Sequence, residues 1–234
     1  MPLYRIADFV FDIEPIYDYT RSLCKDYEVK AEKADFSVRA TEEECRAELD
    51  RALSPTYPGY AEAIVLYRKI CDLLAPRETI LLHGATLRVK NKAFAFCAPS
   101  GTGKTTHIKL WLSLFKDEVT VLNGDKPLLR KTEEGFTVYG TPWCGKEGWN
   151  ENAKATLSAI CFLERGETNA IRRLTAEEAL SRIFEQLVKP QGALGIDTLL
   201  AVVDGLLSTV PMFLLSCNIS EEAARLSYKT LMEA

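Results

Sequence analysis

The chain has 234 residues with a formal net charge of −4, and 47% of its residues are hydrophobic. This composition is typical of a globular protein with a sizeable core, and the slightly acidic balance argues against nucleic acid or an anionic membrane surface as a partner. No apolar run approaches the ~20 residues of a membrane span, and residues 1–8 lack the layout of an export signal, so we expect a cytoplasmic protein.

The first third of the chain predicts short strands and two helices. The expected elements are strands within residues 2–12 and 26–40, a helix from the capping box Thr41–Glu44 to about Leu53, a turn over Ser54–Gly59 and a helix from about Tyr60 to Leu74. Pro76 ends the second helix. Residues 1–76 therefore predict a small α+β appendage that packs on the remainder of the chain, residues 77–234.

From residue 79 onward the pattern becomes dense in strands. The expected strands cover 79–83, 86–89, 93–97, 118–122, 128–131, 136–139, 156–163, 171–174 and 212–217, and the expected helices cover 104–115, 175–188, 196–208 and the stretch from Ser220 to the end. Several strands follow one another directly. This order differs from the strict β–α alternation of a Rossmann-type nucleotide-binding fold.

The segment A-P-S-G-T-G-K-T-T, residues 98–106, has the pattern of a phosphate-binding loop (Walker A) between a strand and a helix. Two glycines let consecutive N–H groups converge on an anion, and the start of the helix adds partial positive charge. The predicted nucleotide-binding residues are Pro99, Ser100, Gly101, Thr102, Gly103, Lys104, Thr105 and Thr106. Lys104 would contact the β- and γ-phosphates, and the Thr105 hydroxyl would bind Mg²⁺. The alternative is an ordinary β-to-α turn with an incidental lysine.

The first glycine of the usual motif is replaced by Ala98. Because an alanine at positive φ is strained, the loop entrance must either avoid that conformation or store strain.

An apolar strand after the predicted loop helix ends in Asn123-Gly124-Asp125. An acid at the end of that strand is the Walker B arrangement, in which the carboxylate holds Mg²⁺. In a phosphotransferase the same acid accepts the proton of an attacking hydroxyl. Thr105 and Asp125 are therefore the predicted metal ligands, and the alternative is a simple Asn-Gly turn.

The segment Gly140–Asn150 is unusually rich in glycine, tryptophan and lysine for a connector. Lys146 could approach a phosphate or an acceptor, Trp143 or Trp149 could stack on a base, and Cys144 could be a sensitive thiol. The alternative for each is a structural role in the loop. The seven cysteines are otherwise dispersed without a C-x-x-C pair, which is typical of reduced thiols and does not suit structural zinc.

His83-Gly84, the strand pair, Ser100–Thr106 and the strand ending at Asp125 resemble the nucleotide-binding core of the HPr kinase/phosphorylase and phosphoenolpyruvate carboxykinase superfamily. The loop sequence is especially similar to that of the carboxykinases. The His-Gly pair and the later acid are closer to the HPr kinase catalytic domain. The resemblance covers about residues 79–220.

The resemblance implies an α/β fold of the α+β mixed-sheet kind, packed with helices and carrying the N-terminal appendage. It also implies that Asp125 is both linked to the metal and the general base. His83 would then lie near the transferred phosphate, and residues 140–150 would border the acceptor.

Three departures limit which activity the resemblance implies. Carboxykinases are far longer and carry a substrate domain that this chain lacks, so oxaloacetate decarboxylation is not expected. HPr kinases have a pair of acids where this chain has Gly124-Asp125, and their signature loop differs from residues 140–150. The chain resembles small HPr kinase-like proteins, which include peptide-tailoring kinases that phosphorylate serine hydroxyls.

We therefore expect a Mg²⁺–ATP-dependent phosphotransferase that acts on the hydroxyl of a peptide, a protein or a small molecule, with Asp125, Lys104 and His83 as catalytic residues. The alternative is a non-catalytic ATP-binding module that regulates a partner protein, which Ala98 and the missing second acid favour. A third hypothesis is an enzyme that uses pyrophosphate or a phosphorylated metabolite. The sequence leaves the oligomeric state open, a homo-oligomer included.

Overall fold

A computed structural model describes residues 2–52, 55–191 and 193–234, without the side chains of residues 193 and 194. The strands are β1 (Leu3–Ile6), β2 (Phe9–Ile13), β3 (Glu28–Val29), β4 (Phe36–Val38), β5 (Thr79–Leu82), β6 (Ala85–Val89), β7 (Lys92–Cys97), β8 (Val119–Asn123), β9 (Leu128–Thr132), β10 (Gly135–Tyr139), β11 (Lys154–Arg165), β12 (Ala170–Arg173), β13 (Leu187–Val188) and β14 (Met212–Cys217). The helices are α1 (Asp18–Cys24), α2 (Glu42–Asp50), α3 (Pro58–Leu74), α4 (Lys104–Phe115), α5 (Ala176–Gln186), α6 (Ala193–Thr209) and α7 (Glu221–Met232).

The strands form a smaller and a larger sheet. The smaller sheet has the order β3-β1-β2-β4, in which β2 and β4 are parallel. The larger sheet has the order β13-β5-β9-β10-β11-β7-β6-β8, with β14 pairing with both β11 and β12. Strand β11 is parallel to β7 and β14, whereas β6 is antiparallel to β7 and β8. Both sheets are mixed, which confirms the expected fold class.

The central strand β7 shows how the larger sheet is covered on both faces. Its side chains alternate, because successive residues of a strand point to opposite sides. Ala93 and Ala95 belong to a core that includes residues of α5 and α6, whereas Phe94 and Phe96 belong to a core that includes residues of α4 and α7. Helices therefore sandwich this part of the sheet, which explains the uninterrupted apolar sequence of β7.

A third core joins the N-terminal elements to the larger sheet. It contains buried residues of β1, β2 and α3 together with Leu81 of β5, Leu128 of β9 and Tyr139 of β10. This core includes residues from both sides of residue 76. The N-terminal elements therefore pack on the strands that flank the predicted site. The division into residues 1–76 and 77–234 stays a prediction.

The helix starts follow the capping signals in the sequence. At the start of α2, the Thr41 hydroxyl accepts a hydrogen bond from the N–H of Glu44 at 3.2 Å, and the Glu44 carboxylate accepts one from the N–H of Thr41 at 2.9 Å. The predicted capping box at Thr175 is also present. Each box satisfies two N–H groups that a helix terminus leaves without partners.

Two helix ends were predicted wrongly, and one helix was missed. Helix α5 ends at Gln186 rather than near Val188, because residues 187 and 188 leave the helix to pair with Leu82 and Leu81 of β5 as the edge strand β13. The helical periodicity of the sequence carries no information about this pairing with a distant strand. Helix α2 ends at Asp50 with Arg51 as its C-cap, short of the predicted end near Leu53, and helix α1 (Asp18–Cys24) was not predicted. The start of the predicted turn at Ser54 lies outside the described residues.

Most of the cysteines lie in the hydrophobic cores. All seven are free thiols, and only Cys217 is less than fully buried. Burial raises the pKa of the Cys97 thiol to about 12, although nearby Lys104 opposes the shift. Across the described ranges, we find no helix with both the length and the apolar character needed to cross a membrane.

Candidate functional site

The predicted phosphate-binding loop lies between β7 and α4 and is open to solvent. Gly101 has φ +78° and Gly103 has φ +123°, a region that favours glycine. Among the described residues, no atom beyond the immediate neighbours lies within 4 Å of where a Cβ would stand at either glycine. Ala98 does not have positive φ. The first residue of the loop therefore does not carry the backbone strain that an alanine at positive φ would have. Residues 99–106 are all partly or fully exposed.

Arg165, the last residue of β11, holds the loop from the adjacent strand. Its guanidinium donates to the carbonyl oxygen of Gly101 at 2.5 Å and to that of Thr102 at 3.3 Å. Because C=O and N–H point in opposite directions across a trans peptide, these contacts turn the following N–H groups away from Arg165. Sequence reasoning missed Arg165, since only the parallel pairing of β11 with β7 brings it to the loop.

Strand pairing brings His83 and Asp125 together. Strand β6 pairs with β8, and the N–H of Gly84 donates to the carbonyl oxygen of Asp125 at 2.9 Å. His83 Nε2 lies 3.3 Å from Asp125 Oδ1, and Lys126 Nζ lies 2.7 Å from Oδ2. Burial by itself would raise the pKa of Asp125, but the hydrogen bond from His83 and the Lys126 ammonium outweigh it and hold this pKa well below its usual range. The carboxylate is therefore ionised throughout the physiological pH range.

Lys104 is electrostatically linked to the same acid. Burial lowers the pKa of its ammonium, whereas the charge of Asp125 acts in the opposite direction. Lys104, the first residue of α4, and Asp125, after β8, therefore interact electrostatically, and we call them with their charged neighbours the charged cluster. Lys126 belongs to this cluster as well, and sequence reasoning did not assign it a role.

The turn that carries Asp125 is built around Asn123. The Asn123 side chain is fully buried, and its Oδ1 accepts hydrogen bonds from the N–H groups of Asp125 at 2.9 Å and Lys126 at 2.7 Å. Its amide donates to the Thr141 carbonyl oxygen at 3.0 Å. Asn123 thus fixes the backbone of the acid and ties it to the segment 140–150.

The segment 140–150 packs closely against the turn that carries Asp125, and the closest approaches occur at Gly124 and Gly145. A Cβ on Gly124 would stand 2.7 Å from the carbonyl oxygen of Cys144, which is closer than van der Waals contact. A Cβ on Gly145 would stand 3.1 Å from the Cβ of Asp125, and Gly145 has φ +77°. A second acid at position 124 therefore does not fit this packing, which gives a physical reason for the single acid in the sequence.

Trp143 and Cys144 of the segment do not have the exposure that binding roles require. Trp143 is 5% exposed and packs edge-on against Tyr67, with ring centroids 5.9 Å apart. Burial raises the pKa of the Cys144 thiol, and the nearby Asp125 charge raises it further. For Trp143 and Cys144 these positions favour the structural role that the sequence offered as the alternative to base stacking and a sensitive thiol. Trp149 stays partly exposed, with Lys109 Nζ 5.7 Å from its ring centroid.

The residues present fit a magnesium–nucleotide complex. The loop presents an open backbone cradle with Lys104 at its helix end. Thr105 and Asp125 supply oxygen donors, the type that Mg²⁺ prefers. Mg²⁺ keeps several waters and is commonly bound through one or two carboxylates and substrate phosphates, so a carboxylate and a hydroxyl are donors of the right kind.

Comparison with known proteins yields a distant structural match. No protein-family model matches the chain, and no curated protein matches it. Among solved structures, the Hpr(Ser) kinase/phosphatase from Coxiella burnetii matches at 13% sequence identity and a TM-score of 0.36, covering 66% of this chain and 99% of that one.

Proposed function

We propose that this chain is a cytoplasmic Mg²⁺–ATP-dependent phosphotransferase of the HPr kinase-like kind. The reaction transfers the terminal phosphate of ATP to a hydroxyl group, such as a serine of a peptide or small protein. The observation that supports the proposal best is the open glycine loop at the start of α4, whose Lys104 interacts electrostatically with Asp125.

The loop and the start of α4 bind the phosphates in this proposal. Backbone N–H groups of residues 101–105 point at the phosphate oxygens, and Lys104 neutralises their charge. Arg165 keeps the loop carbonyls turned outward. Thr105 and Asp125 would hold Mg²⁺, which when bound supplies charge neutralisation on the phosphates.

Asp125 and His83 act at the acceptor in this proposal. Asp125 accepts a hydrogen bond from the acceptor hydroxyl and takes its proton as transfer proceeds, and His83 lies beside it near the transferred phosphate. A carboxylate with a lowered pKa is a weak base, which suits a loose transition state in which the proton leaves late. Catalysis then comes mainly from positioning and charge neutralisation.

Calorimetric titration with Mg²⁺–ATP tests the binding part of the proposal, with wild type and Lys104→Ala compared. We expect wild type to bind and the variant to lose at least about tenfold in affinity, because one charge-assisted contact to phosphate is removed. Absence of binding by folded wild type would refute the proposal. Incubation with ATP labelled at the γ-phosphate and a panel of peptide, protein and small-molecule acceptors tests transfer, which Asp125→Asn should abolish.

The second candidate function is a non-catalytic nucleotide-binding module that regulates a partner protein. Two observations favour it: Gly124 leaves no space for a second acid, and both oxygens of Asp125 already have neighbours, the Lys126 ammonium at 2.7 Å and His83 Nε2 at 3.3 Å. Turnover separates the candidates, since a module binds ATP without phosphorylating an acceptor. Titrations with GTP and pyrophosphate in place of ATP test the third hypothesis, an enzyme that uses another phosphate donor.

A further inference from the structure

Lys126 lies deep in the candidate site. Its ammonium nitrogen is 2.7 Å from Asp125 Oδ2, and 14% of its side chain is exposed. On another side, the Tyr67 ring centroid lies 5.6 Å from the same nitrogen. The Lys126 ammonium thus contacts the carboxylate that the proposed function assigns to Mg²⁺. Little of the lysine side chain is open to water.

Lys126 and a divalent metal compete for this carboxylate. Like charges within a few Å repel strongly where water is partly excluded. The other carboxylate oxygen is already 3.3 Å from His83 Nε2. Lys104 adds a further positive charge close by: burial is the main cause that lowers its pKa, and Lys126 also acts in that direction. Without an anion, the ammonium groups of Lys126 and Lys104 therefore both act on the single carboxylate of Asp125.

The phosphates of a nucleotide are the anion that would restore the balance. In the proposed function the phosphate held by the glycine loop and Lys104 shares Mg²⁺ with Asp125, so it lies beside the carboxylate that Lys126 contacts at 2.7 Å. The flexible four-carbon stem of a lysine allows its ammonium to move by several Å without a change in the backbone. The Tyr67 ring favours a cation on its face during such a movement.

We propose that Lys126 occupies the metal position on Asp125 in the nucleotide-free protein and moves to the terminal phosphate when nucleotide binds. This movement frees Asp125 for Mg²⁺, so that nucleotide and metal binding are coupled through one side chain. The inference rests on the proposed function, because it takes the glycine loop and Asp125 as the Mg²⁺–ATP site. Linkage makes the coupling reciprocal: the metal also releases Lys126 for the phosphate.

Two binding measurements on Lys126→Met test the exchange. The first follows Mn²⁺ alone, with free Mn²⁺ detected by electron paramagnetic resonance, and the second follows metal-free ATP in EDTA by calorimetry. In the variant, we expect Mn²⁺ alone to bind about tenfold more tightly, because its competitor is gone, and metal-free ATP to bind about tenfold more weakly, because a phosphate contact is lost.

Lys131→Met is the matched control. It removes the same charge from a lysine of β9 whose ion pair with Glu78, at 3.4 Å, lies outside the charged cluster. We expect this variant to match wild type in both measurements. Circular dichroism verifies folding, and Lys126→Gln, which keeps most of the stem, is measured in the same way if the methionine variant does not fold.

The outcomes separate the two proposals. If wild type binds Mg²⁺–ATP but the loss of Lys126 changes neither measurement, or changes only one, the exchange is refuted and the proposed function stands. If folded wild type does not bind Mg²⁺–ATP, both are refuted. The exchange is supported if Lys126→Met binds Mn²⁺ more tightly and metal-free ATP more weakly than wild type, and Lys131→Met shows neither change.

Discussion

Replacing His107 by glutamine is expected to remove a pH-dependent part of the stability of the fold. His107 lies in the first turns of α4 and is 4% exposed. Its Nε2 accepts a hydrogen bond from the indole N–H of Trp111 at 3.2 Å and lies 3.0 Å from the Ser227 hydroxyl of α7. If His107 were protonated, its Nε2–H would face the indole N–H of Trp111, and two donors would meet without an acceptor. The charged ring would also be buried beside Phe96, so the folded state requires the neutral ring.

The magnitude follows from the pKa difference between the folded and unfolded states. Burial lowers the pKa of His107 to about 4 from an ordinary value of 6.5. Between these values the unfolded chain binds more protons than the folded protein, so stability is complete above about pH 6.5 and falls as the pH is lowered. The loss amounts to about 2 kcal/mol from pH 7 to pH 5, and to about 3 kcal/mol by pH 4.

Urea unfolding of wild type and His107→Gln at pH 7, 6 and 5 measures this loss. Glutamine places an acceptor oxygen near the position of Nε2 but does not titrate, and all other titrating groups cancel when the two proteins are subtracted. We expect the wild-type advantage in free energy of unfolding to shrink by about 2 kcal/mol, or about 4–8 °C in Tm, between pH 7 and pH 5. A difference that is constant across this range would refute the assignment of a buried neutral histidine.

Three further substitutions test the site and its support. Gly124→Ala should lower the free energy of unfolding by about 1–3 kcal/mol in urea titrations, because its Cβ would stand 2.7 Å from the Cys144 carbonyl oxygen. Arg165→Met should weaken Mg²⁺–ATP binding by about tenfold in calorimetry, since the carbonyl oxygen of Gly101 loses a charged hydrogen-bond donor. The circular dichroism spectrum should stay unchanged, and an unaltered affinity would contradict the role of Arg165 in holding the loop. Thr41→Ala should cost about 1 kcal/mol in urea unfolding through loss of the α2 cap and should leave nucleotide binding unchanged.

Several elements were predictable because their signals are local. The capping boxes, the bounds of α4 and the strand Met212–Cys217 follow from residues that are adjacent in the chain. The glycine loop was predictable for the same reason, since its backbone conformation depends on Gly101 and Gly103 themselves. The end of α5 was not, because pairing with β5 decides it.

The amino-acid sequence by itself determined that a strand, a glycine loop and a helix follow one another, and that an acid ends a later strand. Only the tertiary structure decided what surrounds that acid. The pairing of β6 with β8 brings His83 to Asp125, the buried Asn123 sets the turn that places Lys126 on the carboxylate, and β11 brings Arg165 to the loop. These contacts join residues far apart in the chain, and their geometry depends on strand register and side-chain direction, which local sequence patterns do not contain.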